Sequence, residues 1–215
     1  MGENSLPAFP FHPSPFPPAA NGMGTPTPPP SVKPMIGLLS ADVALFAQAT
    51  TKLQELYGPI DVESAVFPWN TTNYYREEMG ENLSRKFVAF EPLISPEVLV
   101  RMKLETNALE RMLSGATSPS IPRLVNLDPG YLDATKLVLA STKNQAHRIY
   151  LAQGIYAEVT LLYHHSAFHS FLYTYTDYRW PETHEFLRSV RRRYLEQIRA
   201  QKEAVFTHKH TPRLS

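Results

Sequence analysis

Seven polar residues stand within or beside apolar segments of one stretch, Arg123 to Tyr163: Asn126, Asp128, Lys136, Lys143, His147, Arg148 and Glu158. Burying such groups is costly unless they are paired or put to use, which makes them the first candidates for a site. Asn126 and Asp128 fall at the end of a predicted strand, Lys136 and Lys143 lie beyond the turn that follows, and His147, Arg148 and Glu158 sit on a predicted hairpin. Lys, Arg and His side chains beside one or two carboxylates suit a phosphate-bearing or carboxylate ligand. On this reading Asn126, Asp128, Lys136, Lys143 and Arg148 bind the ligand. Glu158 orients His147 and raises its pKa for general acid or base work. Asp128 or Glu158 is also the kind of group that holds Mg²⁺ together with substrate phosphate oxygens. The competing reading is a structural network, with Asp128 stabilising its own turn, Arg148 and Glu158 pairing with neighbours, and backbone satisfying His147.

These residues need a scaffold, and the pattern of the chain predicts one. MIGLLS reads as a buried strand, followed by a helix to Tyr57 with Ser40 as N-cap, Asp42 in its first turn, and Val43, Phe46, Thr50, Leu53 and Tyr57 on one face. IDVESAVFPW is a second strand, NTTNYYREEMG a loop or helical turn, and RKFVAFEPL a third strand in which Arg85, Phe87 and Ala89 share a face. Ser95 and Pro96 start a second helix with Leu99, Met102, Thr106, Leu109 and Leu113 as its stripe and a break expected near Thr106. RLVNLDPGY is a strand that runs into a turn at Asp128-Pro129-Gly130. For LVLAST a short helix capped by Asp133 is preferred over a buried strand. HRIYL and GIYAEVTLLY form a hairpin around Gln153-Gly154, with Leu151 opposite Tyr156 and His147 diagonal to Glu158. LYTYTDY supplies an edge strand, and a last helix spans Glu182 to Glu203 on Phe186, Val190, Tyr194 and Ile198.

The order implies an α+β fold: a mainly antiparallel sheet with helices packed on one face, a ferredoxin-like start, then a hairpin and a C-terminal helix. Residues 1–33 hold ten of the 20 prolines and read as a disordered arm, 34–203 as a single domain, and 204–215 as a frayed tail. At 215 residues and 43% hydrophobic content the chain can build a core. Net charge is only +1, so no global field draws nucleic acid or an anionic membrane. Arg188, Arg191, Arg192, Arg193 and Arg199 crowd the last helix, but Glu182, Glu185, Glu196 and Glu203 intersperse them, which disfavours nucleic acid. Cysteine is absent and no apolar run reaches the roughly 18–20 residues of a membrane span, so a cytoplasmic protein is expected. His164, His165 and His169, even with His208 and His210, lack the Cys or H-E-x-x-H support of a zinc site, and no metal site is expected. No P-loop, G-x-G-x-x-G or G-x-S-x-G motif occurs.

With MIGLLS, PIDVESAVFPW, YYREEMG, RKFVAFEPLI, VNLDPGYL, KLVLASTK, HRIYL and GIYAEVTL in one order, the chain resembles a bacterial family known as domain of unknown function 4416, from about Lys33 to Ile198. The resemblance implies neither an activity nor site residues. The sequence therefore leads to a protein that binds, and in one version transforms, a small anionic metabolite or nucleotide. Its rival is a non-catalytic module that engages protein or RNA through the proline-rich arm or the arginine-rich helix.

Overall fold

The computed structural model describes residues 26–69, 76–114 and 123–209. The first half runs β1 (Lys33–Ser40), α1 (Ala44–Tyr57), β2 (Ile60–Glu63), β3 (Phe67–Pro68), α2 (Arg76–Met79), β4 (Ser84–Phe90) and α3 (Leu99–Ser114). The second half runs β5 (Val125–Leu132), β6 (Lys136–Ser141), β7 (Ile149–Ala152), β8 (Ile155–His164), β9 (Ala167–Ser170) and α4 (Pro181–Lys209). Short 3-10 turns stand at Pro96–Val98 and Thr176–Arg179.

One antiparallel sheet has the order β2-β4-β1-β5-β6-β8-β7, with β3 also on β4 and β9 also on β8. Its first four strands realise the ferredoxin-like start, because β1 and β2 run parallel with β4 between them as a split β-α-β unit. The fold is α+β, as the element order implies.

β1 is buried at every position, which only a strand covered on both faces can be. On one face Ile36, Leu38, Val88 and Phe90 meet Phe46 and Leu53 of α1 and Met102 and Leu109 of α3. On the other, Met35, Phe87, Leu137 and Leu161 meet Phe186, Leu187 and Val190 of α4. The expectation of helices on one face therefore holds for α1 and α3 and is corrected by α4.

Local departures have identifiable causes. LVLAST is strand rather than helix: four successive buried residues of β6 lie between layers, where a continuous apolar run satisfies both faces. Asp128-Pro129-Gly130 makes no turn but continues β5. Backbone groups alternate in direction along a strand, and those of Leu127 point away from β1 towards α3 side chains, so the missing N–H of Pro129 also falls on the side that β6 leaves. Gly130 is required there, since a Cβ would lie 2.4 Å from the Val138 carbonyl oxygen.

Other differences concern boundaries. IDVESAVFPW splits into β2 and β3, α3 is continuous through Thr106, and the strand after β8 is Ala167–Ser170 rather than LYTYTDY, which forms loop and 3-10 turn. In the hairpin, Tyr150 rather than Leu151 pairs with Tyr156, because Leu151 is bulged out of the ladder. Val43 rather than Ser40 stands at the N-cap of α1, and Asp42 before it accepts the Ala44 N–H on Oδ1 at 2.9 Å. α4 runs on to Lys209, past the expected end at Glu203. Residues 1–25, which hold most of the proline-rich arm, and residues 70–75, 115–122 and 210–215 lie outside the described residues. Among the described residues no helix is long and apolar enough to cross a membrane.

Candidate functional site

The site arises where β5 and β6 part. They pair only through Gly130, Tyr131 and Leu132, although β5 begins at Val125 and β6 ends at Ser141. Side chains of α3 take over the backbone groups left exposed. The Leu127 N–H donates to Glu110 Oε1 at 2.7 Å, and Lys103 Nζ donates to the Leu127 carbonyl at 3.1 Å. A wedge thus stays open between the strands with the Leu127 peptide groups paired.

A cavity of about 110 Å³ occupies the wedge. Asn126 and Asp128 form its β5 wall, Ser141, Thr142 and Lys143 its β6 rim, and Glu158 of β8 stands across. Arg85 of β4, Lys103, Arg123, Tyr175, Asp177 and Tyr178 complete it.

Arg85 organises this space. Its Nη1 donates to Asp128 Oδ2 at 3.1 Å, its Nη2 to the Tyr178 hydroxyl at 3.3 Å, and its Nε lies 2.9 Å from Asp177 Oδ2. The guanidinium can lie on the sheet because residue 37 is glycine, whose Cβ would come within 2.9 Å of Arg85 Nη2 and 3.0 Å of the Tyr178 hydroxyl. Asp128 Oδ2 also accepts Asn126 Nδ2 at 2.7 Å, and Asn126 Oδ1 accepts Arg123 Nη1 at 2.9 Å. Lys103 Nζ stands 4.0 Å from Asp128 Oδ1.

The two carboxylates beside Arg85 are driven apart in pKa. Burial works against the charge of Asp128, but Arg85 and Lys103 outweigh it and hold the group below the ordinary carboxylate value. Burial dominates at Asp177, and with Asp128 nearby it raises that pKa despite Arg85. Glu110 is likewise raised by burial, against Lys103 and the Leu127 N–H.

Glu158 is gripped on its Oε2 by Arg148 Nε at 2.7 Å and His147 Nε2 at 3.1 Å, while Thr160 donates to its Oε1 at 3.2 Å. The diagonal contact expected of His147 and Glu158 is therefore made. The His147 ring stacks on Tyr173 at 4.0 Å, and Arg148 ties the Lys143 carbonyl and the Tyr175 hydroxyl. Glu158 lines the cavity; His147 and Arg148 hold it from outside the lining.

Of the residues singled out in the sequence, Asn126, Asp128, Lys143 and Glu158 meet at the cavity. Lys136 does not. It begins β6, at the end away from the cavity, and is bound by Asp133, whose carboxyl also accepts the Thr135 N–H. Asp133 is thereby a turn residue rather than a helix cap.

Mg²⁺ does not fit the carboxylates present: Asp128 Oδ2 already faces Arg85, and Glu158 Oε2 faces Arg148, so a cation would stand among guanidinium groups. Among the described residues no group of three His, Cys, Asp or Glu side chains could hold a metal ion. His164, His165 and His169 gather at the β8–β9 turn, whose tip is His165-Ser166 with positive φ at both; the side chain of His208 and all of His210 lie outside the described residues.

Arg85, Lys103, Arg123, Asp177 and Tyr178 are the contributors that the sequence reading misses. Two left a signal: Arg85 alternates in phase with the core residue Phe87, and Lys103 and Glu110 fall beside Met102 and Leu109 on the buried stripe of α3.

No curated protein and no solved structure matches the chain. The family described as a domain of unknown function, number 4416, matches residues 30–194, a span that contains every wall of the cavity. The chain belongs to that family.

Proposed function

We propose that the protein binds a small anionic metabolite, or the anionic end of a nucleotide, in the wedge between β5 and β6. The observation that carries this reading is convergence: Arg85 from β4, Lys103 from α3, Arg123 before β5 and Lys143 after β6 bring four cationic side chains to one cavity. Three carboxylates share the lining; Asp128 and Asp177 hold Arg85 in place, and Asp128 stands 4.0 Å from Lys103. Such preformed pairs position donors at little ordering cost when a ligand arrives. A cytoplasmic address belongs to the same proposal, which needs no disulfide and finds no cysteine in the chain.

The rival interaction surface on α4 loses part of its basis. Arg191 donates to the Ala134 carbonyl at 2.9 Å and lies 3.6 Å over the Tyr163 ring, while Arg193 pairs with Asp61, so both are engaged within the fold.

A thermal-shift screen of the full chain against inorganic phosphate, small phosphate esters and small carboxylates tests the proposal. A ligand at 100 times its Kd adds about 2.7 kcal/mol of stability. The expected result is a shift that disappears in Asn126→Ala and Lys143→Ala; a shift retained in both would place the ligand elsewhere.

A further inference from the structure

We infer that the ligand is a short hydroxylated phosphate ester, a polyol or small sugar phosphate rather than a nucleotide. This rests on the proposal above and narrows its ligand class.

Size comes first. The cavity of about 110 Å³ is well below the roughly 300–1,000 Å³ of pockets that enclose drug-sized molecules. It takes a phosphate with a few carbons, and a base attached to the same phosphate would lie outside. Aromatic surface comes second. Trp69 and Tyr178 line the cavity but are buried, at 9% and 1% exposure, so neither offers a free ring face. Tyr175 is more open, but its hydroxyl is tied to Arg148 at 2.6 Å. Base binding draws mainly on such stacking faces.

The third observation is an excess of acceptors that no phosphate could use. Both hydrogen bonds to the Asp128 carboxylate go to Oδ2, leaving Oδ1 with only the distant Lys103 charge at 4.0 Å. Glu158 Oε1 takes one long bond from Thr160, at 3.2 Å. A carboxylate oxygen has two acceptor sites, so each retains capacity on a residue that lines the cavity. An anion alone would leave these oxygens against it and repelled. Hydroxyl groups supply the protons they accept, while Lys103, whose Nζ has three protons and gives one to Leu127, takes the phosphate.

Calorimetric titration of the full chain with inorganic phosphate, glycerol 3-phosphate and adenosine monophosphate tests this. Glycerol 3-phosphate is expected to bind at least tenfold more tightly than phosphate, and adenosine monophosphate no more tightly than phosphate. In Glu158→Gln the preference for the polyol ester over phosphate should fall; a preference unchanged in that variant would overturn the role given to Glu158. Equal affinity for phosphate and glycerol 3-phosphate, or tighter binding of the nucleotide, overturns the inference while leaving anion binding intact. No binding by any of the three removes the proposed function itself, and this inference with it.

Discussion

Two of the buried ion networks among the described residues are built from the same chemistry to different ends. On one side of the fold Lys33 Nζ meets Asp61 Oδ2 at 2.6 Å and Gln197 Oε1 at 2.9 Å, and Arg193 Nε meets the same Asp61 oxygen at 3.0 Å. The Gln197 amide then donates to the Glu91 carbonyl at 2.6 Å. The partners come from α4, β1, β2 and Glu91 just past β4, so this network fastens α4 to β1 and β2. A surface hollow between α1 and β2 is lined by Asp61 but by neither Lys33 nor Arg193. On the other side, Arg85, Asp128 and Asp177 are equally interlocked, yet cations and carboxylates alike form the walls of a cavity. A buried ion pair is by itself weak evidence of function. What distinguishes the second network is the parted pair of strands that keeps its polar groups facing empty space.

The largest effects should come from removing one partner of either network. Arg85→Leu strands Asp128 and Asp177, Asp61→Ala strands Lys33, and each is expected to cost about 3–5 kcal/mol in urea unfolding. Only the first should also abolish ligand binding. Loss of binding in a folded Asp61→Ala protein would erase the distinction between the two regions.

Gly37→Ala is expected to cost about 1–3 kcal/mol, because its Cβ would press on the Arg85 guanidinium at 2.9 Å and displace it from the sheet. Binding should weaken with it. Unchanged stability and affinity would show that Arg85 does not need that glycine.

The pH dependence of the two carboxylates should be opposite. Asp128, depressed in the fold, contributes stability above the unfolded carboxyl value of about 3.9 and loses it as pH falls through its lower folded value. Asp177, raised in the fold, contributes stability below about pH 3.9 and loses it as pH rises through its higher folded value. Asp128→Asn should therefore flatten the loss of stability on the acid side of the profile, and Asp177→Asn the loss of stability as pH rises towards neutrality. Urea midpoints between pH 2 and 7 measure both, and parallel profiles for the two variants would contradict the assignment.

The smallest effect on stability belongs to Lys143→Ala, where an exposed residue leaves the fold within about 0.5 kcal/mol while anion affinity drops.

How much of this was legible in the sequence depends on the range of the interaction. Periodicity found α1 and α3, because each packs one apolar stripe on the sheet, and the short apolar run of β1 marked a buried strand. Asn126, Asp128, Lys143 and Glu158 were placed near one another because they stand near in sequence. It put Asp128-Pro129-Gly130 in a turn because turn chemistry is local, whereas the loss of β6 as a partner, which lets proline sit in that strand, is tertiary. It assigned LVLAST to a helix because a strand buried on both faces has no alternation to read. Arg85 and Tyr178 stand 93 residues apart and Arg85 and Asp128 stand 43 apart, so only the strand order brings them together. Lys136 was grouped with the site by proximity in sequence, and the direction of β6 carries it to the other end.

The central claim, that the parted strands form the site and the α4 network does not, is tested most directly by following backbone amide resonances of the full chain during titration with glycerol 3-phosphate. The account predicts saturable shifts at Asn126 to Asp128, Ser141 to Lys143 and Tyr175 to Tyr178, with Lys33 and Ile60 to Glu63 unmoved. Shifts centred on Lys33, Asp61 and α4, with the wedge unchanged, would contradict it.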